Sequence, residues 1–275
     1  MDLKVTAKMA KKAGEEMTDV VLRWAKSSWE DTINLEHDGL HVVHEIWSVS
    51  ICWGYMLMEE EGADNIDYYM ALETHVDMEA STLMALSGFY RHANLILRGW
   101  VELTFLGLWF HNSSELYEKW LENAPDAPFK RRGYVRERWL RQLLSEASFR
   151  DFNLEYDLAD EVLNLFGELS KATHAKGKEI HETRDRGDSV TRFRKDSFEQ
   201  WFLNLYQVFD VTSTALFLRY PHLFKSQRKE AVEVRETLSK SKLEQLKAFL
   251  TQHEKSFKIA NKNSQTKKGK WEALR

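Results

Sequence analysis

The sequence has little of what breaks or cross-links a chain: one cysteine, three prolines and twelve glycines among 275 residues. A single cysteine excludes a disulfide framework and a cysteine-based zinc site, and Cys52, which lies in an apolar run, fits a reducing cytoplasm. So few prolines and glycines are incompatible with many short strands joined by tight turns. The sequence therefore predicts an all-α protein, a multi-helix bundle located in the cytoplasm.

The chain also lacks an apolar leader and a long uncharged hydrophobic run. Its first residues, MDLKVTAKMAKKAGEEM, contain no hydrophobic core of a secretory signal. The apolar stretch that ends at Phe110 is too short and carries too many charges for a membrane span. With 43% hydrophobic and 30% charged residues, we expect a soluble protein that does not enter a membrane.

Hydrophobic periodicity predicts a helical bundle domain over residues 1–222, a basic amphipathic helix over residues 223–260 and a frayed tail over residues 261–275. Apolar residues cover most of the circumference of the second predicted helix, as in a central helix. The third predicted helix is unusually long, so we expect a break near Gly88. Polar segments at 122–133 and 177–196 are predicted loops. The predicted helices are Leu3–Trp29, Ile33–Glu60, Ile66–Phe110, Val135–Ser148, Tyr156–His174, Ser197–Tyr220 and Gln227–Ala260.

Charge is unevenly divided along the chain, whose formal net charge is -4. Residues 225–275 contain fourteen Lys and Arg against six Glu, whereas residues 59–79 contain eight carboxylates and no Lys or Arg. A basic arm beside an acidic body predicts that the arm contacts an acidic partner, the protein's own acidic face, or nucleic acid. The acidic stretch itself would repel phosphate, which argues against a nucleic-acid surface there.

Three histidines are spaced as metal ligands could be, because His37, His41 and His44 occupy positions i, i+4 and i+7 and share one helical face. Metal sites usually take ligands from more than one element, however, and no second helix offers a Glu-x-x-His pair. A polar stripe where two helices meet is the alternative that we favour, so the sequence predicts no metal site.

A second candidate site combines Arg98 and Glu102, four residues apart on an apolar helix, with His174 in the segment LSKATHAKGKEIH. Buried charges need partners, so we expect Arg98 to contact Glu102 or a third polar group; a purely structural ion pair is the alternative. His174 lies among cations, which suits a general base or a phosphate contact, although a histidine at a helix end can also cap carbonyl groups. The cations expected to hold nucleic acid are Lys171, Lys178, Arg184, Arg186, Arg192 and Arg194.

The helix YRHANLILRGWVELTFLGLWF, with its Arg-x3-Glu pair, and the later segment LFGELSKATHAKG lie within residues 83–177. Together they resemble a group of uncharacterised prokaryotic all-helical proteins loosely related to the HEPN superfamily. The resemblance implies that Arg98, Glu102 and His174 are recurring polar positions, that the bundle dimerises, and that the setting is an RNase, a toxin or a phage-defence system. The Arg-x4–6-His signature of catalytic HEPN proteins does not occur, and Lys176 to His181 is its nearest imitation.

Three functions are compatible with these patterns. The first is a helical interaction or regulatory subunit of a prokaryotic multi-component, phage-defence-like system; ten Trp, nine Tyr and fifteen Phe suit its interfaces. The second is metal-independent RNA cleavage, with His174 as general base and Arg98 as electrostatic stabiliser. The third is sequence-independent nucleic-acid binding through the basic C-terminal arm. No GxxxxGK, GxGxxG or GxSxG string occurs, so we expect no cofactor, and the expected partners are a protein, a second copy of the chain, or RNA or DNA.

Overall fold

The computed structural model of the chain describes residues 19, 22–23, 26–31, 38–61, 66–111, 113–122, 137–174 and 193–253. Every regular element within these ranges is an α-helix, which confirms the predicted all-α bundle. In chain order the helices that follow residue 37 are α1 (Asp38–Glu61), α2 (Ile66–Leu86), α3 (Tyr90–Phe110), α4 (Ser114–Leu121), α5 (Glu137–Leu143), α6 (Arg150–Tyr156), α7 (Leu158–His174), α8 (Lys195–Arg219), α9 (Pro221–Lys225), α10 (Lys229–Thr237) and α11 (Lys240–Gln252).

The first three of these helices form an antiparallel series, because short connections bring α2 back along α1 and α3 back along α2. Helix α3 also packs against α7 and α8. It runs in the same direction as α8, since Asn204 donates a hydrogen bond to Asn94 (2.8 Å) near the start of α3 and Arg219 donates to the carbonyl of Leu108 (3.2 Å) near its end. Helices α1, α2, α3, α7 and α8 thus form the body of the bundle.

The centre of the bundle is α8. Residues 208–218 of this helix are all buried, and the indole of the fully buried Trp201 donates to the Ser81 hydroxyl at 3.0 Å. Helix α1, which the sequence predicts to be central, leaves Trp47, Tyr55 and Met58 exposed. The opposite side of α1 is in the core, as predicted, whereas its main neighbours α2, α8 and α10 leave this side uncovered. The buried residues of α1 include Val43, Ile46, Val49, Trp53, Met56 and Leu57.

The predicted break near Gly88 is confirmed, since α2 ends and α3 begins on either side of this residue. Gly88 has a φ of 81°, in the left-handed region that glycine adopts without a steric penalty. Its N–H donates to the carbonyl of Ala85 (2.9 Å), and the N–H of Phe89 donates to the carbonyl of Met84 (2.8 Å). These bonds satisfy the last carbonyls of α2 and turn the chain back toward α3.

The single basic helix predicted over Gln227–Ala260 is two helices in the structure, α10 and α11. The chain turns at Ser239, whose hydroxyl accepts a hydrogen bond from the N–H of Lys242 at 3.3 Å and caps α11. The N–H of Ser239 itself donates to the Asp210 carboxylate of α8 at 3.0 Å. A tertiary contact therefore breaks the helix where the sequence has neither proline nor glycine. Both helices pack on the bundle through Ala231, Val234, Leu246, Phe249 and Leu250, which are buried.

Several predicted segments fall outside the described residues. These are most of the first helix (Leu3–Trp29), nearly all of the loops at 122–133 and 177–196, and residues 254–275, which include the predicted tail at 261–275. Pro221, predicted to end the preceding helix, opens α9 at a position where its missing N–H costs nothing. None of the described helices has both the length and the hydrophobicity that crossing a membrane requires.

Candidate functional site

The predicted contact between Arg98 and Glu102 on α3 is confirmed. The Arg98 Nη2 donates to the Glu102 Oε1 at 2.9 Å, and the two side chains are only 18% and 16% exposed. The guanidinium carbon lies 4.6 Å from the ring centroid of Phe166 on α7. Burial raises the pKa of Glu102, while the hydrogen bond and the charge of Arg98 oppose this rise. The pair thus links α3 to α7.

His174 is the last residue of α7, and its side chain lies outside the described residues. It follows Phe166 by eight residues, which is about 12 Å along a helix axis. The backbone of His174 is therefore about two turns beyond the level at which Arg98 meets α7. A joint site of His174, Arg98 and Glu102 stays a prediction.

The structure describes two of the six cations predicted to hold nucleic acid. Lys171 lies 2.5 Å from Glu168 on the same helix. The backbone N–H of Arg194 donates to the Tyr90 hydroxyl at 3.3 Å, which places the start of α8 beside the start of α3. Lys178, Arg184, Arg186 and Arg192 lie outside the described residues, so their binding of nucleic acid stays a prediction.

The predicted histidine stripe is described in part, because His37 lies outside the described residues. The His41 Nδ1 lies 3.3 Å from the Glu45 Oε1, and the His44 ring centroid lies 5.9 Å from that of Trp47. In the part of the chain that the structure describes, no three His, Cys, Asp or Glu side chains are arranged to hold a metal ion. His44 instead belongs to an aromatic cluster on α1 and α2.

A buried polar cluster that the sequence does not indicate joins the first turn of α2 to the ends of α3 and α8. The side chain of Asp67 is 1% exposed, and its Oδ2 lies 2.7 Å from the Nδ1 of His111 and accepts a hydrogen bond from the Tyr220 hydroxyl. Asp67 also lines a cavity of about 10 Å³, together with Ser50, Trp53, Thr74, Thr104 and Thr212. Such a space has room for about one water molecule, so the cluster stabilises the bundle and does not admit a substrate.

The outer side of the antiparallel pair α1–α2 is an exposed apolar surface, which we call the hairpin face. Three of its side chains, at seven-residue intervals, lie along one side of α2, and Trp47 of α1 donates to Glu79 of α2 at 3.2 Å. A helix face that is not covered by its own bundle is a candidate site for another chain. The six large apolar side chains of the face, 40% to 56% exposed, are Trp47, Tyr55 and Met58 of α1 and Tyr69, Val76 and Leu83 of α2.

The hairpin that bears this face has no lysine or arginine. Residues 27–90, which include all of α1 and α2, contain thirteen Asp and Glu and neither basic residue. At the end of α1, the Nη1 of Arg228 lies 2.8 Å from a Glu59 oxygen and 3.5 Å from a Glu60 oxygen. Along α2, no Lys or Arg of the described ranges pairs with Glu73, Asp77 or Glu79. The hairpin face is therefore both apolar and negatively charged.

An aromatic cluster crosses the boundary between α1 and α2 on this face. The ring centroid of Trp47 lies 5.9 Å from that of His44 and 6.4 Å from that of His75. The Trp47 Nε1 donates to the Glu79 Oε1, and the His75 Nε2 lies 3.6 Å from the same oxygen. On its inner side, His75 is held by the Ser50 hydroxyl at 2.6 Å from Nδ1. An exposed indole with a carboxylate beside it suits the binding of a cation.

Asp77 is a carboxyl group of the hairpin whose pKa is raised first by burial and then by a neighbouring carboxylate. It lies between α2 and α3, so close to Gly99 that a Cβ there would come to 2.9 Å from its Oδ2. Burial and the nearby charge of Glu73 raise the pKa of Asp77 from 3.8 to about 6. The folded protein therefore binds this proton more tightly than the unfolded chain does.

We expect Asp77→Asn to increase the free energy of unfolding near neutral pH by roughly 1 to 2 kcal/mol, with little effect below about pH 4. An acid whose pKa is raised on folding contributes its full stability below its unfolded pKa and loses that contribution as the pH rises through about 6. Urea denaturation of both proteins across this pH range measures the difference. An effect of equal size at both ends of the range would contradict the assignment.

The hairpin face was missed by sequence reasoning, which treated the apolar side chains of α1 as core. A usable signal was the absence of Lys and Arg throughout residues 27–90, together with the seven-residue spacing of Tyr69, Val76 and Leu83. If such an apolar stripe bordered by carboxylates is not buried in the bundle, its charge favours a positively charged partner.

No protein-family model, curated protein or solved structure matches this chain. The HEPN-like resemblance within residues 83–177 accordingly stays an expectation.

Proposed function

We propose that the protein is a helical interaction subunit whose hairpin face binds a positively charged, amphipathic polypeptide segment. The observation that supports it most is the coincidence of six exposed apolar side chains with a hairpin that contains no lysine or arginine. Neither property alone identifies a binding surface. Together they describe a surface that has both a hydrophobic contribution to binding and a preference for one class of partner.

The apolar part of the face has the composition of an interface centre. Trp, Tyr and Met are enriched at the centres of protein interfaces. Trp and Tyr bury a large area at a small cost in side-chain entropy, and Met adapts its flexible side chain to the partner. Trp47, Tyr55 and Met58 supply all three types on α1 alone. An amphipathic helix laid along two antiparallel helices meets such side chains at regular intervals.

The acidic part of the face determines the chemistry of the partner. A second hairpin face is a poor partner, because it would bring carboxylates against Glu73 and Glu79 without a cation between them. A lysine- or arginine-bearing segment is attracted to the same carboxylates, and this attraction weakens as salt increases. The face thus favours a basic segment over a like-charged copy of itself.

We place this subunit in a prokaryotic multi-component, phage-defence-like system. This setting rests on the resemblance of residues 83–177 to HEPN-related proteins.

RNA cleavage has less support from the described residues. The Arg98 guanidinium is bonded to Glu102 and packed on Phe166 inside the bundle, which is an arrangement for holding two helices together rather than for stabilising a phosphate.

Calorimetric titration of the full-length protein with designed peptides tests the proposal. Two amphipathic peptides of equal length carry the same leucines, with lysine on the polar side of one and glutamate on that of the other. We expect the lysine peptide to bind at least about tenfold more tightly, and its affinity to fall as salt is added. Equal affinity for the two peptides would contradict the proposal.

Variants of the protein locate the binding site. We expect the triple variant Tyr55→Ser, Val76→Ser, Leu83→Ser to lose at least about tenfold in affinity for the lysine peptide, because a tenfold loss corresponds to only about 1.4 kcal/mol. The control is Leu154→Ser with Leu203→Ser, since these leucines are 75% and 53% exposed but lie on α6 and α8. A loss in the control as large as that in the hairpin variant would overturn the proposed location.

A further inference from the structure

We propose that the segment bound by the hairpin face is the chain's own C-terminal region, residues 254–275, and that one of its lysines is held at the cluster formed by Trp47, His75 and Glu79. This inference rests on the proposed function, because it names the occupant of the same face. The segment comes either from the same molecule or from a second copy, and cross-linking distinguishes the two.

The composition of the segment complements the face. Residues 254–275 contain seven Lys and Arg against two Glu, whereas the hairpin offers only carboxylates. The segment also contains four large apolar residues that can contact the exposed side chains of α1 and α2. These residues are Phe257, Ile259, Trp271 and Leu274.

The preceding part of the C-terminal arm already binds the hairpin. Arg228 lies 2.8 Å from Glu59, and the Nε2 of His222 lies 2.9 Å from a Glu60 oxygen. Helix α10 then follows α1, where the Cys52 thiol donates to a Glu233 oxygen at 3.6 Å. The Arg228 guanidinium of the arm thus pairs with the carboxylates at the end of α1, whereas the carboxylates along α2 have no Lys or Arg partner in the described ranges.

The length of the segment permits this contact. Helix α11 leads the chain toward α6 and α7, where the ring centroid of Phe249 lies 5.1 Å from that of Phe152. The twenty-two residues from 254 to 275 span up to about 70 Å when extended. A 275-residue domain has a radius of gyration of only about 19 Å, so the segment reaches the face of its own molecule or of a neighbour.

The cluster at Trp47 is suited to a lysine in particular. The exposed indole offers a π surface to an ammonium group, and such contacts are strongest with tryptophan. Glu79 lies at the edge of this indole and is not paired with Lys or Arg in the described ranges. An ammonium group over Trp47 would therefore meet the ring and a carboxylate at the same time.

Zero-length carbodiimide cross-linking of the full-length protein, followed by mass spectrometry, tests the inference. We expect links from Lys262, Lys267, Lys268 or Lys270 to Glu45, Glu73 or Glu79, and their yield should fall at high salt. Mixing isotope-labelled with unlabelled protein separates links within one chain from links between two chains. Tail lysines linked only to carboxylates outside α1 and α2, or not linked at all, would overturn the inference.

Competition for the face provides a second readout. The tail variant Lys267→Gln, Lys268→Gln, Lys270→Gln should bind the designed lysine peptide at least about threefold more tightly than the wild type, because fewer cations compete for the face. The control variant Lys171→Gln, Lys240→Gln, Lys247→Gln makes the same charge change on α7 and α11, away from the hairpin, and should leave that affinity unchanged. If the peptide binds the hairpin face but the tail variant gains nothing, this inference fails and the proposed function stands; if the peptide binds nowhere on the face, both fail.

Discussion

Replacing Asp67 by alanine is expected to lower the free energy of unfolding by about 2 to 4 kcal/mol. The carboxylate is 1% exposed and accepts the Tyr220 hydroxyl while its Oδ2 lies 2.7 Å from the Nδ1 of His111. Its removal takes the acceptor from the buried Tyr220 hydroxyl and the partly buried His111 ring at the junction of α2, α3 and α8, and it enlarges the adjoining cavity. Equilibrium urea denaturation measures the loss.

Two matched substitutions show that the effect belongs to the hydrogen bonds. Asp67→Asn keeps an acceptor oxygen in place, so its loss should be about half of that for alanine. Asp151→Ala removes a carboxylate that is 46% exposed on α6 and should cost less than about 0.5 kcal/mol. An Asp67→Ala protein that is as stable as Asp151→Ala would show that the cluster does not stabilise the bundle.

A second large effect is expected at Lys242, the buried cation that attaches α11 to the bundle. Its ammonium group bonds to the Glu161 carboxylate and lies near Asp210. Burial raises the pKa of Asp210, while the hydrogen bonds from Ser239 and the charge of Lys242 oppose this rise. Lys242→Ala removes the cation that offsets the repulsion between the Glu161 and Asp210 carboxylates, so we expect a loss of about 2 to 3 kcal/mol near neutral pH.

The loss at Lys242 should shrink in acid, because protonated carboxyl groups no longer repel each other. Lys247→Ala, on the exposed side of the same helix, is the control and should change stability by less than about 0.5 kcal/mol. Thermal denaturation of both variants at neutral and acidic pH provides the comparison. A loss for Lys242→Ala that is no larger than that for Lys247→Ala would contradict a role in attaching α11.

Much of the fold follows from local properties of the sequence. The scarcity of proline and glycine predicts the helices, and Gly88 marks the turn between α2 and α3 because only a residue that tolerates a φ of 81° fits there. The break between α10 and α11 has only a weak local signal, the serine at position 239 that caps α11. It depends on Asp210 of α8 accepting the Ser239 N–H, a contact between residues that are far apart in the sequence.

The candidate sites likewise differ in whether their residues are close together or far apart in the sequence. The Arg98–Glu102 contact is predictable, because residues four apart on a helix are neighbours. Asp67 and His111 are 44 residues apart, and His111 and Tyr220 are 109 apart, so no local pattern connects them. Trp47 and Tyr55 have the spacing of core residues, and only the positions of the neighbouring helices show which apolar side of α1 stays exposed.

The most direct test of the central claim is to observe where a basic segment binds. Methyl-labelled methionine provides internal controls, because the hairpin contains five of the eight methionines: Met58 and Met84, which are exposed, and Met56, Met70 and Met78, which are buried. When the designed lysine peptide is added to the full-length protein, we predict that the methyl resonance of Met58, which belongs to the hairpin face, shifts most. Changes confined to methionines outside α1 and α2, or no change at saturating peptide, would contradict the account.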